Sequence, residues 1–213
     1  MHGIGTLNER ANSLLGKIGI GLQYALLRRG PMSMAPSQLG AFVKSDPALE
    51  TPNLQYHVQP LTLEKFGQPL HPFPAITASV ANLRPESRGY IRIKGPDPFA
   101  APSIQPNYLS TPGDRMVAAQ SIRITRNIVS QPAFAKYHPE EFMPGDNPQT
   151  DDELAKAAGE VGTTIFHPVG TCKMGSDDKA VVDDQLRVRG LGGIRVVDAS
   201  IMPTITSGNT NSP

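Results

Sequence analysis

The hydrophobic and polar positions near the N-terminus follow the period of an α-helix. Leu14, Ile18, Leu22 and Ala25 lie at three- and four-residue steps, and the Asn-Ser pair at 12–13 supplies a helix start. We expect this apolar face to pack on a core; the alternative is a surface that touches a membrane or covers a substrate entrance. The stretch is too short and too interrupted to cross a bilayer, which takes about 20 apolar residues.

Three stretches in the middle of the chain alternate apolar and polar residues with the period of a strand. They lie at 54–63, 76–83 and 90–93, and each predicts a half-buried strand. The turn-rich segment 84–89 joins the last two, which favours antiparallel pairing between them. Five prolines fall between residues 95 and 112, so we expect this segment to form an extended loop instead of a helix or central strand.

Capping signals mark two helices in the second half of the chain. Thr111 to Asp114 combines a hydroxyl cap, a proline and a carboxylate, and predicts a helix that ends near Ser130. A capping box at 150–153 begins a shorter helix that ends near Ala158. With a further strand expected at 194–197, these elements predict an α+β fold, a mainly antiparallel sheet with flanking helices.

Composition excludes several classes of function. Lys and Arg number 20 against 19 Asp and Glu, so the chain lacks the net positive charge typical of nucleic-acid binding. Glycine and proline number 20 and 21, which excludes a helical bundle or coiled coil. The single cysteine closes no intramolecular disulfide, and no Cys/His cluster has zinc spacing, so no metal site is predicted. The N-terminus shows no secretory signal, and we expect a cytoplasmic protein, with peripheral contact to the inner membrane as the alternative.

Candidate chemistry concentrates in the last fifty residues. His167 precedes a proline, which favours an extended backbone and places the ring at a strand end or loop. A histidine of ordinary pKa, about 6.5, can accept a proton at neutral pH and act as a general base, although a single histidine can equally be structural. A metal site at His167 and Cys172 lacks the further ligands that it would need. A nucleophilic role for Cys172 lacks a nearby base to deprotonate the thiol. Asp198 follows the predicted strand, where it either binds a ligand or caps a turn.

Three ordered motifs resemble the C-terminal part of the glucose-methanol-choline (GMC) oxidoreductase family. They are H-P-V-G-T-C-K-M-G at 167–175, R-V-V-D-A-S-I-M-P at 195–203 and S-G-N-T-N-S-P at 207–213. The segments R-G-P-M-S-M-A-P-S-Q-L-G-A-F and R-P-E-S-R-G-Y-I-R-I upstream also resemble its choline dehydrogenase and aliphatic alcohol dehydrogenase branch. The similarity therefore covers nearly the whole chain.

The resemblance implies a flavoenzyme that oxidises an alcohol to a carbonyl compound and passes hydride to the N5 atom of FAD. It places the catalytic base at His167, with Asn211 as the neutral partner that hydrogen-bonds the substrate oxygen. Residues implied at the cofactor are Phe166, Asp198, Ala199, Thr210 and Asn211. The implied partners are a small-molecule alcohol and a quinone or dye-like electron acceptor. A choline substrate, an oxygen-using oxidase and a non-catalytic binding module are the alternatives.

The resemblance also implies that the chain is one part of such an enzyme. No G-x-G-x-x-G turn follows a strand in this sequence, although that turn would hold the FAD diphosphate. We expect a substrate-binding region at 1–180 and a partial return to the FAD-binding α/β domain at 181–213, which stops at a helix start signal, Ser212 and Pro213. On this view the chain alone neither binds FAD tightly nor turns over substrate.

Overall fold

The structure is a computed structural model that describes residues 4–65 and 67–211. The helix start expected at Ser212 and Pro213 lies outside these residues. The helices are α1 (Leu7–Asn12), α2 (Leu14–Leu27), α3 (Pro112–Val129), α4 (Pro132–Ala135) and α5 (Asp151–Val161). The strands are β1 (Leu39–Val43), β2 (Leu54–Gln59), β3 (Thr77–Asn82), β4 (Tyr90–Arg92) and β5 (Ser103–Gln105).

The chain forms two compact units. One holds the described residues of Met1–Ala81 and Gln120–Asn147, and the other holds those of Asn82–Ala119 and Pro148–Pro213. Small antiparallel sheets combine with helices, which is the predicted α+β class. The functional division into 1–180 and 181–213 stays a prediction.

The first unit contains a three-stranded sheet in the order β1-β2-β3. Strands β1 and β2 pair antiparallel, with Leu39 opposite Val58. The predicted alternation in β2 is observed at Leu54 and Tyr56, which are buried, whereas Val58 is half-buried like the residues beside it. The Tyr56 hydroxyl and the Thr125 Oγ1 atom of α3 lie 2.9 Å apart in a hydrogen bond. Burial raises the pKa of the Tyr56 hydroxyl, against the effect of that bond.

Helix α2 forms where the pattern predicts it, but its burial differs from the expectation. Ser13 caps it by accepting a hydrogen bond from the Gly16 N–H. The side chains expected to face a core are exposed, with Leu14 at 74% and Leu22 at 55%, and Ile20 is the buried residue among those described in α2. The prediction of core packing is therefore wrong for the described chain, because no described element covers this face. None of the described helices is long and apolar enough to cross a membrane.

The second unit corrects the predicted pairing of the middle strands. Strand β4 pairs antiparallel with β5, with Tyr90 opposite Gln105, and β3 belongs to the other sheet. A strand therefore forms inside the proline-rich segment. It can do so because Pro102 and Pro106 flank the three residues of β5 instead of interrupting them, and the ladder loses no N–H donor within the strand.

The first turn of α3 contains a buried carboxylate that organises the preceding turn. Asp114 is 4% exposed and accepts hydrogen bonds from Asn82 Nδ2 at 3.2 Å, the Glu86 N–H at 2.9 Å and the Ser87 N–H at 2.7 Å. Burial raises the pKa of this carboxyl, but the hydrogen bonds from the Ser87 hydroxyl and the two N–H groups outweigh burial and hold the pKa below its usual range. Asp114 thus ties the 82–87 segment to the helix.

The predicted capping box of α5 is confirmed. The Thr150 side chain accepts from the Glu153 N–H at 3.3 Å, and the Glu153 carboxylate accepts from the Thr150 N–H at 2.9 Å. The helix runs to Val161, three residues beyond the predicted end. Leu154, Ala155 and Ala157 are its buried residues.

The strand expected at 194–197 does not form among the described residues. This segment makes a single bridge, between Arg195 and Arg187, with further backbone bonds that join Val188 to Ile194 and Val196 to Leu186. A strand needs a continuous ladder along a neighbour. Residues 186–188 are too short a neighbour to provide one.

Candidate active site

The loop that carries His167 begins with an unusual backbone conformation. Phe166 has a φ of 65°, in the left-handed region that L-residues rarely adopt. Its N–H donates to Thr164 Oγ1 at 3.0 Å, and its side chain is 66% exposed. The loop therefore presents an aromatic ring to the surface of the described chain directly beside His167, which is half-buried.

Main-chain bonds hold this loop against the segment that follows Asp198. The Cys172 N–H donates to the Ser200 carbonyl at 3.0 Å, and the Met174 N–H donates to the Ile201 carbonyl at 2.8 Å. Gly170 turns the loop with a φ of 88°, and a Cβ atom there would lie 3.4 Å from the Met202 carbonyl oxygen. These contacts align two segments about thirty residues apart in sequence.

The ring of His167 contacts the next loop through both of its nitrogens. Asn209 Nδ2 lies 2.9 Å from Nε2, and Thr210 Oγ1 lies 3.0 Å from Nδ1. The Thr210 backbone N–H also approaches Nδ1, at 3.5 Å, which is longer than an ordinary N–H hydrogen bond. The structure therefore brings together two of the motifs that carry the family resemblance.

The asparagine that contacts His167 is Asn209, which the family resemblance did not single out. The predicted partner, Asn211, is exposed, and no hydrogen bond joins it to His167 within the described part of the chain. The motif N-T-N holds two asparagines, and the resemblance alone selected the second. The catalytic role of Asn211 stays a prediction, and Asn209 becomes a second candidate for the same role.

Asp198 caps a single 3₁₀ turn, Ala199–Ile201. Its carboxylate accepts from the Ser200 N–H at 2.8 Å, and hydrogen bonds from the Ser200 hydroxyl and N–H lower the pKa of the Asp198 carboxyl. The turn-capping alternative is therefore observed. The Asp198 side chain is exposed, so capping leaves room for the predicted contact with a cofactor, which stays a prediction.

The residues around His167 fit a flat ring system with polar edges. Phe166 offers an exposed aromatic face. The Thr206 hydroxyl, in the loop that carries Asn209 and Thr210, is buried and has no hydrogen-bond partner among the described residues. Such a group costs free energy unless another molecule or segment satisfies it. An isoalloxazine ring is apolar on its faces and forms hydrogen bonds along its edges, so it fits an aromatic ring together with an unsatisfied hydroxyl.

A separate cleft lies in the same unit. It has a volume of about 510 Å³ and is lined by Asp183 and residues 187–195. None of the predicted site residues lines it, so it is not the candidate active site.

Comparison with known proteins decides the family. Residues 85–213, more than half of the chain, match the family profile described as GMC oxidoreductase. The chain belongs to the GMC oxidoreductase family. The membership predicted from the three motifs is confirmed.

Two curated members of the GMC family illustrate the similarity. An "Alcohol dehydrogenase [acceptor]" from Pseudomonas putida is 42% identical over 93% of this chain and 36% of its own length. An "Oxygen-dependent choline dehydrogenase" from Cronobacter sakazakii is 44% identical over 81% of this chain and 31% of its own length. The chain thus spans about a third of the length of these relatives.

Solved structures show the same fold. Pyridoxine 4-oxidase from Mesorbium loti superposes with a TM-score of 0.73 at 31% identity, covering 82% of this chain and 35% of that protein. An FAD-dependent oxidoreductase from Chaetomium thermophilum gives a TM-score of 0.80 at 19% identity, covering 97% of this chain and 42% of that protein. The predicted α+β fold and the prediction of an FAD-dependent oxidoreductase family are confirmed.

Proposed function

We propose that this chain supplies the base-carrying side of the active site in an FAD-dependent alcohol dehydrogenase that converts a CH–OH group into a carbonyl. The observation that carries the proposal is the contact of 2.9 Å between His167 Nε2 and Asn209 Nδ2. Because the chain spans about a third of its relatives' length, the remainder of the cofactor site is assigned to other segments of the enzyme.

The His167–Asn209 pair is complementary to a hydroxyl group. An amide nitrogen only donates, so Nε2 of the neutral ring accepts in this contact. An alcohol that takes the place of the contact would donate its O–H to Nε2 and accept from Nδ2. Each group keeps the role that it already has, and the alcohol oxygen is fixed between a base and a neutral donor.

Oxidation then needs a proton and a hydride to leave the substrate. FAD, when bound, supplies the acceptor for the hydride of the carbinol carbon. The hydroxyl proton goes to His167 Nε2, which gives an imidazolium. Asn209 Nδ2 continues to donate to the oxygen as it becomes a carbonyl, so the neutral partner supports substrate and product alike.

Five residues of this chain are proposed to hold FAD. The Phe166 ring and Thr210 would line the isoalloxazine, as the family resemblance implies. Asp198 and Ala199 would face the ribityl and diphosphate portion, where the exposed carboxylate of Asp198 can accept from ribityl hydroxyls. Asn211 is proposed beside the isoalloxazine as well, on the resemblance alone.

A neutral aliphatic alcohol is the favoured substrate, with choline as the second candidate. The chain has no Trp and only 6% aromatic residues, whereas a quaternary ammonium is commonly bound by aromatic faces. Choline is considered because the relative from Cronobacter sakazakii is named for it. The electron acceptor is proposed to be a quinone, or a dye-like molecule that substitutes for the quinone, with oxygen as the alternative.

Anaerobic mixing of the FAD-loaded enzyme with substrate tests the proposal. Primary aliphatic alcohols are expected to bleach the oxidised flavin absorbance, and a quinone or dye is expected to restore it. Preference for choline over the alcohol series would support the second candidate, and rapid peroxide formation in air would support an oxidase. Flavin that stays oxidised with every alcohol and with choline would overturn the proposal.

The variants Asn209→Ala and Asn211→Ala separate the two candidates for the neutral partner. Loss of Asn209 is expected to lower kcat/KM by about 10-fold, because a hydrogen bond to the reacting oxygen disappears. Loss of Asn211 is expected to change it less than about threefold. Steady-state kinetics on one alcohol gives both values, and the opposite order would assign the role to Asn211.

Peripheral membrane contact is proposed at α2. Its exposed side chains include Leu15 at 83% and Leu26 at 77%, and the helix contains Lys17 and no acidic residue, with Arg28 and Arg29 directly after it. Apolar side chains beside basic ones suit an anionic lipid surface.

Flotation with anionic vesicles tests this contact. The protein is expected to be recovered in the vesicle fraction, and the double change Leu15→Glu and Leu26→Glu should abolish that recovery. Leu191, which is equally apolar and 64% exposed, provides the control, and loss of binding in Leu191→Glu alone would contradict the assignment to α2.

A further inference from the structure

We infer that Thr210 is a positioning residue that fixes the tautomer of His167 and thereby makes Nε2 the atom that receives the substrate proton. The inference rests on the proposed function for its catalytic consequence. The tautomer itself is inferred from the hydrogen bonds around the ring and does not depend on the proposed function.

The two ring contacts of His167 are chemically different. Asn209 Nδ2 can only donate, so Nε2 accepts in the contact of 2.9 Å. A neutral imidazole carries one hydrogen, which must then lie on Nδ1. Thr210 Oγ1, 3.0 Å away, accepts this hydrogen, since a hydroxyl oxygen keeps acceptor lone pairs whichever way its own hydrogen turns.

The backbone N–H of Thr210 is the competing contact. Donation from this group to Nδ1 would require the opposite tautomer, with the hydrogen on Nε2. That separation is 3.5 Å, half an ångström longer than the contact with Thr210 Oγ1. In addition, a hydrogen on Nε2 would point at the amide nitrogen of Asn209, donor against donor. Both facts favour the hydrogen on Nδ1.

Thr210 and Asn209 respond differently when His167 becomes charged. An imidazolium donates from both nitrogens. The Thr210 oxygen accepts from Nδ1–H in the neutral and in the charged ring, so this bond persists through proton transfer. The Asn209 amide nitrogen opposes an Nε2–H, so its contact with the ring is compatible with the neutral form alone. Asn209 therefore favours the neutral base before the alcohol binds, and Thr210 holds the ring in place throughout.

Nitrogen NMR of the FAD-loaded enzyme with labelled histidine measures the tautomer directly. His167→Asn identifies the ring signals among the five histidines of the chain. In the unchanged protein, Nδ1 is expected to carry the hydrogen and Nε2 to be bare. Thr210→Val should give a mixture of tautomers, and Thr210→Ser should restore the single form. Thr204→Val, an exposed residue of the same segment, should leave the signals unchanged.

Kinetics of the same variants connect the tautomer to the reaction. Thr210→Val is expected to lower kcat by about 10-fold with little change in KM, because it removes the hydroxyl that orients the histidine ring, and Thr210→Ser, which keeps that hydroxyl, is expected to recover most of the loss. A hydrogen on Nε2 in the unchanged protein, or an unaltered tautomer in Thr210→Val, would overturn the inference. The expected tautomers in all of these variants, together with absent alcohol oxidation in the unchanged protein, would instead refute the proposed function.

Discussion

Replacement of His167 by asparagine is expected to lower kcat for alcohol oxidation in the FAD-loaded enzyme by roughly 10²–10⁴-fold, the usual contribution of a general base. The asparagine side chain cannot accept a proton at neutral pH. The hydroxyl proton would then have to leave to water while the carbinol carbon loses its hydride. Stopped-flow measurement of flavin bleaching isolates this chemical step from product release.

His138→Asn is the matched control for this experiment. His138 also precedes a proline, and its side chain is exposed, but it lies in the other compact unit. Its φ of 42° is a conformation that asparagine tolerates well. The control is expected to keep the rate of the unchanged enzyme. A loss below threefold at His167, or equal losses in both variants, would remove His167 from the role of base.

Replacement of Asp114 by asparagine is expected to lower the free energy of unfolding by about 2–4 kcal/mol. The buried carboxylate accepts from Asn82, Glu86 and Ser87 with both oxygens. An amide offers one oxygen, and its NH₂ group would face one of those donors. Chemical denaturation followed by circular dichroism measures the change as a lower midpoint at constant slope.

The contribution of the Asp114 carboxylate to stability should also depend on pH. Because the folded pKa of Asp114 is lowered, its contribution is fully present above the unfolded value of about 3.9 and is lost as the pH falls through the folded value. The unchanged protein is therefore expected to lose stability below about pH 4 more steeply than Asp114→Asn. Asp152→Asn removes an exposed first-turn carboxylate of α5 and should cost less than about 0.5 kcal/mol. Equal midpoints for the two variants would contradict the role given to Asp114.

Elements whose boundaries depend on neighbouring residues could be predicted from the sequence. The starts of α3 and α5 lie within one residue of their capping signals, because a cap is made by side chains within one turn of the helix. The position of the strand β2 is equally local, since the alternation of apolar and polar residues marks it, although only Leu54 and Tyr56 of its apolar face are buried.

Features that depend on distant residues could not be predicted. Strand β5 is three residues long and forms only because β4 supplies its ladder, so no local pattern marks it. The exposure of Leu14 and Leu22 depends on what covers α2, and the sequence of the helix does not contain that information. At the site, His167 and its two motifs were found by resemblance, but the choice between Asn209 and Asn211 depends on how the last loop folds.

The bonds from Cys172 and Met174 to the carbonyls of Ser200 and Ile201 have a consequence for how such a site can diversify. They join backbone to backbone, so these two bonds do not depend directly on which side chains occupy the four positions. Substitutions that leave the backbone of these segments in place can therefore keep the alignment of the two loops. A scaffold of this kind separates the placement of catalytic groups from the choice of substrate, which allows new specificities to arise by small steps.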